Sequence, residues 1–178
     1  MKIWKIIFTL GFFLAVAIIY IFFFSSTTEE EQIIYGEDLV GSCGPYYQKV
    51  LVVQNETRPQ LLVEVSDNTC KTMLGLSGRV ELTEYMGMWF EFDDLAGRPF
   101  WMKDMNLHID MIWFDDNFTV VEIAENVSPD SYDRKNPLQS QFFGGNVPSQ
   151  FVLETRAGWV KQNKIKIGTR VNVMDLVG

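Results

Sequence analysis

The sequence predicts a small, mainly β domain carried behind a single transmembrane helix. Three observations predict it. Residues 6–24 form one apolar run. The rest of the chain breaks into short β-branched and aromatic runs separated by Gly, Pro, Asp and Asn. That is the pattern of short strands in a small barrel or sandwich. Only two stretches carry a helical pattern, and both are short. A length of 178 residues accommodates one ordinary domain and an appendage.

The apolar run reads IIFTLGFFLAVAIIYIFFF, with only Thr9, Gly11 and Tyr20 less than fully apolar. At ~1.5 Å per residue, such a helix spans about 28 Å, the thickness of a bilayer's hydrocarbon layer. Trp4 and Tyr20 sit near its ends, where amphipathic rings favour the interface. A soluble helix this apolar would have to be enclosed on every side. The stronger competitor is a cleavable signal peptide, because Ser25 and Thr27 at the exit are small enough for cleavage. The run is longer than a signal peptide needs, so an uncleaved anchor over residues 1–24 is the expectation. Lys2 and Lys5 precede the run and Glu29-Glu30-Glu31 follow it. By the positive-inside tendency the N-terminus is cytoplasmic and the C-terminal domain extracytoplasmic.

The chain carries 23 acidic and 15 basic residues, a net charge of -8. Without Lys2 and Lys5, residues 25–178 hold 13 basic against 23 acidic residues, a net of -10. An acidic body is repelled by phosphate, so no nucleic-acid partner is expected. Residues 25–44 are polar, acidic and glycine-dotted, which suits a tether. Residues 45–178 make the globular domain. Its two cysteines, Cys43 and Cys70, can pair in an oxidising exterior or stay separate thiols. With no C-x-x-C, one histidine and no calcium-loop spacing, neither metal nor cofactor is expected.

Strands are expected at Lys49–Val53, Leu61–Val65, Gly87–Phe92, Phe100–Lys103, Ile109–Phe114, Phe118–Ile123, Gln150–Glu154 and Arg170–Met174. Asp115-Asp116-Asn117 makes a hairpin turn between the fifth and sixth, since Asp and Asn tolerate left-handed backbone. Asn68–Leu76 reads as one or two helical turns. Arg156–Lys164 reads as a helix whose basic end suits the negative pole of the helix dipole. Ser128–Ser149 is a long polar loop carrying Phe142-Phe143-Gly144-Gly145, either a hinged aromatic tip or a loop pinned by its phenylalanines.

Several motifs occur in order along the body. They are Gly75-Leu76, Gly87-Met88-Trp89-Phe90-Glu91-Phe92, Phe100-Trp101-Met102-Lys103-Asp104 with Asp110, Phe151-Val152-Leu153-Glu154, Ala157-Gly158-Trp159 and Ile165-Lys166-Ile167-Gly168. Together they resemble the domain of unknown function (DUF) 192 family over about Leu61 to Asp175. That family runs GL, GMLF-x-F, FWMKNT-x-x-PLD, VLE-x-x-AG and G-x-x-x-GD-x-V. The resemblance implies a small mainly β domain, often behind a signal or anchor segment, and no settled activity. Its last element is similar to the glycine-aspartate turn of cradle-loop barrels. The fold implied is therefore a small closed or partly open β-barrel with one or two short helices. Asp104, Met105, His108 and Thr169 stand where the family has Asn, Thr, Pro and Asp.

Candidate site residues follow from the motifs. In a strand, Trp101 and Lys103 share one face, and Met102 and Asp104 the other. An aromatic plane beside a cation suits a sugar or an anionic group; the alternative is a packed Trp with Lys103 snorkelling. His108 and Asp110 share a strand face, yet a surface imidazole explains His108 as well. Asp110 and Glu154 border apolar strands and serve either structure or binding. The expected site is a cleft of Trp101, Lys103 and Asp110 with Glu154 and Trp159 nearby. It would make the protein a binding module for an envelope glycan or a protein partner. The rival is an envelope-polymer hydrolase or lyase with Asp104 and Asp110 as acid/base pair and Lys103 stabilising negative charge. The third reading is a structural or assembly domain using Phe142-Phe143 as its contact.

Overall fold

The computed structural model describes residues 43–176. The expected span over residues 1–24, and the tether up to residue 42, lie outside the described residues. Among the described residues no helix is long and apolar enough to cross a membrane.

Seven strands form one sheet: β1 (Gln48–Val53), β2 (Gln60–Ser66), β3 (Met86–Ala96), β4 (Ile109–Phe114), β5 (Val120–Val127), β6 (Ser149–Arg156) and β7 (Val171–Asp175). Two short helices accompany them, α1 (Thr69–Leu74) and α2 (Trp159–Gln162). The sheet order is β5-β4-β6-β3-β2-β1-β7. Every neighbouring pair is antiparallel except β2 with β3. A parallel pair needs a crossover, and α1 with the turns after it supplies one.

The sheet does not close into a barrel, which corrects the closed alternative. The edge strands β5 and β7 meet only at their starts, through the Thr119–Arg170 bridge. Beyond that bridge the two edges carry no shared ladder.

Strand alternation sorts the core into two clusters on opposite faces. One face holds Val63, Trp89, Ile112, Phe114 and Leu153, covered by Trp159, Val160 and Ile165. The other holds Met88, Phe90, Met111, Trp113 and Val152, covered by Leu76, Met102 and Met105. β4 is buried along all six residues because both faces are covered.

Four expected elements differ, the first by bounds: the strand expected over Phe118–Ile123 lies at Val120–Val127. Phe100–Lys103 is no strand: only Phe100 makes a bridge, to Phe143. The chain then turns at Lys103-Asp104, where Asp104 has φ 54°. Burying Met102 while Trp101 faces outward satisfies this segment without a ladder. The expected break at Asp93–Pro99 starts later, because β3 continues to Ala96 through an irregularity in its register with β6. The helix expected over Arg156–Lys164 shrinks to four residues, since β6 claims Arg156 and Gly158 sits at φ 86°.

The hairpin turn forms as expected. Asp115 Oδ1 accepts the backbone N–H groups of Asn117 and Thr119 at 2.9 and 2.8 Å. Asn68 caps α1 by accepting the Lys71 N–H at 3.0 Å. Cys43 and Cys70 are joined in a disulfide, with Cα atoms 5.4 Å apart.

Candidate functional site

β6 lies in the middle of the sheet, between β3 and β4. Its residues 152 and 154 point to the same face, and Leu153 to the other. Glu154 pairs in register with Met88 on β3 and with Met111 on β4. The same alternation that buries Val152 therefore places a carboxyl at the centre of an apolar face. Glu154 is 4% exposed, and its Oε2 has no hydrogen-bond partner. Burial pushes its pKa up to about 8, partly offset by the positive charge of Arg79. Burial thus favours the neutral acid over the carboxylate.

Above Glu154 opens a cleft of about 190 Å³. One wall is the C-terminal part of α1 and the turn after it, Thr72 to Ser77. The other is the segment from Pro99 to Met105, with Trp101 and Lys103 at the rim. Phe90 and Phe100 line the interior, packed edge to face at 4.9 Å. Ser77 fastens the two walls by donating its hydroxyl to the Lys103 carbonyl at 2.8 Å.

Gly75 keeps the space beside the buried carboxyl free of a side chain. Its φ is 52°, a conformation that favours glycine. A Cβ there would lie 3.8 Å from Glu154 Oε2 and 3.6 Å from Phe90 Cζ, covering the acid with a methyl group.

Trp101 is 39% exposed. Its ring stacks on Phe142 at 5.6 Å and 25° and meets Tyr132 edge-on at 5.7 Å. Lys103 Nζ stands 6.0 Å from the Trp101 ring centroid. The 128–149 loop thus contributes both phenylalanines in different roles. Phe142 faces outward beside Trp101, and Phe143 packs into the core.

Of the five expected residues, the structure gathers Trp101, Lys103 and Glu154. It separates Asp110 and Trp159 from them, because both lie on the opposite face of the sheet. Asp110 is fully buried. Its Oδ1 accepts Asn126 N–H at 2.8 Å and its Oδ2 accepts Val160 N–H at 2.9 Å. Trp159 is 3% exposed and packs with Trp89's cluster. Asp104 stands on the surface, 3.9 Å from Arg134. Asp104 and Asp110 therefore do not face one cleft. His108 is exposed, and its carbonyl accepts the Ala157 N–H at 3.2 Å.

Sequence reasoning missed the α1 wall, Thr72 to Ser77. Gly75-Leu76 was visible as a motif, but only the parallel β2–β3 pairing brings it over β6. Among the described residues no group of three or more His, Cys, Asp or Glu could hold a metal ion.

A family model matches residues 50–173, well over half of the chain. The chain belongs to the DUF192 family. The family's description is Uncharacterized ACR. Its motif residues now have places in the domain: Gly75 and Leu76 at one wall, Trp101 and Lys103 at the rim, Glu154 at the base. No curated protein matches the chain. Two solved structures share the DUF192 domain's fold. One is a "putative transcription regulator" from Sinorhizobium meliloti 1021, at 25% identity and TM-score 0.64, covering 72% of this chain and 95% of its own. The other is a protein of unknown function from Novosphingobium aromaticivorans DSM 12444, at 23% identity and TM-score 0.59, covering 69% and 83%.

Proposed function

We propose that this DUF192 protein is a membrane-anchored, extracytoplasmic module that binds a glycan-type ligand of the cell envelope in the Glu154 cleft. The observation that carries the reading is an unpartnered buried carboxyl at the base of a cleft whose rim holds Trp101 and Lys103. A buried polar atom without a partner is costly, by roughly 1–3 kcal/mol, unless something else satisfies it. A ligand polar group would satisfy Glu154. An exposed tryptophan ring at the entrance offers a plane for a sugar ring. The Cys43–Cys70 disulfide supports an oxidising location, and the apolar run over residues 6–24 supports the anchor.

The test is a titration of the full chain in detergent micelles with envelope-type oligosaccharides, followed by tryptophan fluorescence. Saturable quenching in the wild type, weakened by Trp101→Ala and by Lys103→Ala, is expected. Both variants should keep the wild-type melting temperature within a few degrees, because both side chains are exposed. Absence of saturable binding to every oligosaccharide would sink the reading.

A second reading is a contact surface for a protein partner. It rests on the exposed apolar side chains Trp101, Phe142 and Leu138 on and beside the 128–149 loop. Unchanged partner capture after Phe142→Ser and Leu138→Ser would exclude it.

A further inference from the structure

The chemistry of the Glu154 cleft narrows what can enter it, if the ligand-binding reading above holds. We propose that the cleft receives an acetamido group, an uncharged amide with a methyl substituent, and that Glu154 is its recognition residue.

The base offers one polar group with an open hydrogen-bond valence, Glu154 Oε2. The surroundings offer apolar contact: Leu76, Phe90, Phe100 and Met105 line the space. An entering group must therefore be small, apolar on its flanks, and able to hydrogen-bond at its tip. A cavity of about 190 Å³ admits a substituent and leaves the body of a larger ligand at the rim.

Charge selects further. Lys103 stands at the rim, and the charge of Arg79 reaches Glu154. Among the described residues, Glu154 is the one carboxyl residue lining the cleft. An ammonium group would pass the like charge of Lys103 on entry and give up its water among apolar walls. A carboxylate would be held by Lys103 at the rim and would give up its water on entering the apolar space below. An amide carries no charge to desolvate. Its N–H can donate to Glu154, and its carbonyl can accept the Glu154 hydroxyl. A methyl on the amide fits the apolar walls, and a ring carrying it would reach Trp101 at the mouth.

Acetamido groups occur on N-acetylated sugars and on acylated amines. Four probes separate the sources: a chitin tetramer, the same tetramer without acetyl groups, a cellulose tetramer, and an N-acetylated amino acid methylamide. Each is titrated into the full chain in detergent micelles by fluorescence and calorimetry. The expected result is binding of the chitin tetramer at least about tenfold tighter than of the other two tetramers. Glu154→Gln, which keeps an uncharged hydrogen-bonding tip, should bind within about threefold of wild type. Glu154→Leu, of similar bulk, should lose at least about tenfold. Melting curves of both variants confirm that they fold, and the Gln variant keeps the test decisive if Leu does not.

Binding of the acetylated amino acid without the chitin tetramer would keep the acetamido inference and remove the sugar. Equal binding of the three tetramers, or tighter binding of the deacetylated one, would overturn the acetamido inference while leaving a glycan site. Binding of no probe would overturn both.

Discussion

Asp110 accepts the backbone N–H of Val160 at 2.9 Å through a carboxylate that solvent does not reach. Its other oxygen holds the N–H of Asn126 at 2.8 Å. One side chain on β4 thus fastens α2 on one face of the sheet and the irregular end of β5 beside it. This is a structural task, because both oxygens are engaged by backbone and face away from the Glu154 cleft.

Removing the carboxylate therefore tests stability rather than binding. Asp110→Ala leaves the buried Val160 N–H and the part-buried Asn126 N–H without acceptors, at roughly 1–3 kcal/mol for the buried one and less for the other. A loss of about 2–5 kcal/mol in urea unfolding is expected. Asp110→Asn keeps one acceptor and should lose less. Ligand affinity at the cleft should stay within about twofold in whichever variant remains folded. A large affinity loss with unchanged stability would return Asp110 to the site.

Reduction of the Cys43–Cys70 bond should loosen the helix that walls the cleft. Cys70 lies in α1, and Thr72 to Ser77 follow it along the cleft edge. The bond closes 27 residues of chain, worth roughly 3.5 kcal/mol on the loop-entropy account. Reductant should lower the urea midpoint and speed amide exchange in Thr69–Ser77 before it does so in β4 or β6. Identical urea curves with and without reductant would refute the assignment.

Gly144→Ala should be among the most damaging single-methyl additions. Its φ is 71°, and a Cβ there would fall 2.2 Å from Trp113 Cζ2. Trp113 is buried and donates its indole N–H to the Arg98 carbonyl at 2.8 Å. The methyl must displace that ring or lift the loop off the sheet. A loss of about 2–4 kcal/mol and a changed near-ultraviolet tryptophan signal are expected. Gly168→Ala has a similar φ, 88°, but nothing within 4 Å of the added atom. It should cost about 1 kcal/mol, the backbone strain alone.

These examples also show which features the sequence made legible. Ile109–Phe114 is readable with correct bounds because five apolar residues around Asp110, between His108 and Asp115, admit few other readings. Glu154 was readable as a candidate because a carboxyl closing the Phe151-Val152-Leu153 run is anomalous in a strand. Its side of the sheet was not readable. The alternation fixes that Asp110 and Glu154 each have a face, yet only the β4–β6 register, Met111 opposite Glu154, shows that the faces differ. Trp159 was misplaced for a related reason: a tryptophan in a short helix reads alike whether it meets the core or a cleft. Phe100–Lys103 reads as a strand because half-buried Phe100 and buried Met102 alternate with exposed Trp101 and Lys103, and that alternation holds without a ladder.

The pH dependence of stability gives the sharpest check on Glu154. Its folded-state pKa, about 8, lies above the ordinary value of 4.5. Below about pH 4.5 both folded and unfolded chains hold the proton, and the group contributes no pH dependence. Between about 4.5 and 8 the unfolded chain releases it while the folded chain keeps it. Folding then takes up a proton, so stability falls as pH rises through this window. The full penalty, on the order of a few kcal/mol, is reached above the folded-state pKa. Asp67, lowered by its hydrogen bond to Lys71, acts at the acid end, where stability is lost as pH falls. Tyr47, raised to about 12, acts at the alkaline end. The interval from about pH 5.5 to 8.5 therefore isolates Glu154 from both. Over it the wild-type melting temperature should decline, and that of Glu154→Gln should stay nearly level and lie higher at the alkaline end. Parallel declines in the two proteins would show that Glu154 ionises normally and that the cleft base is solvated.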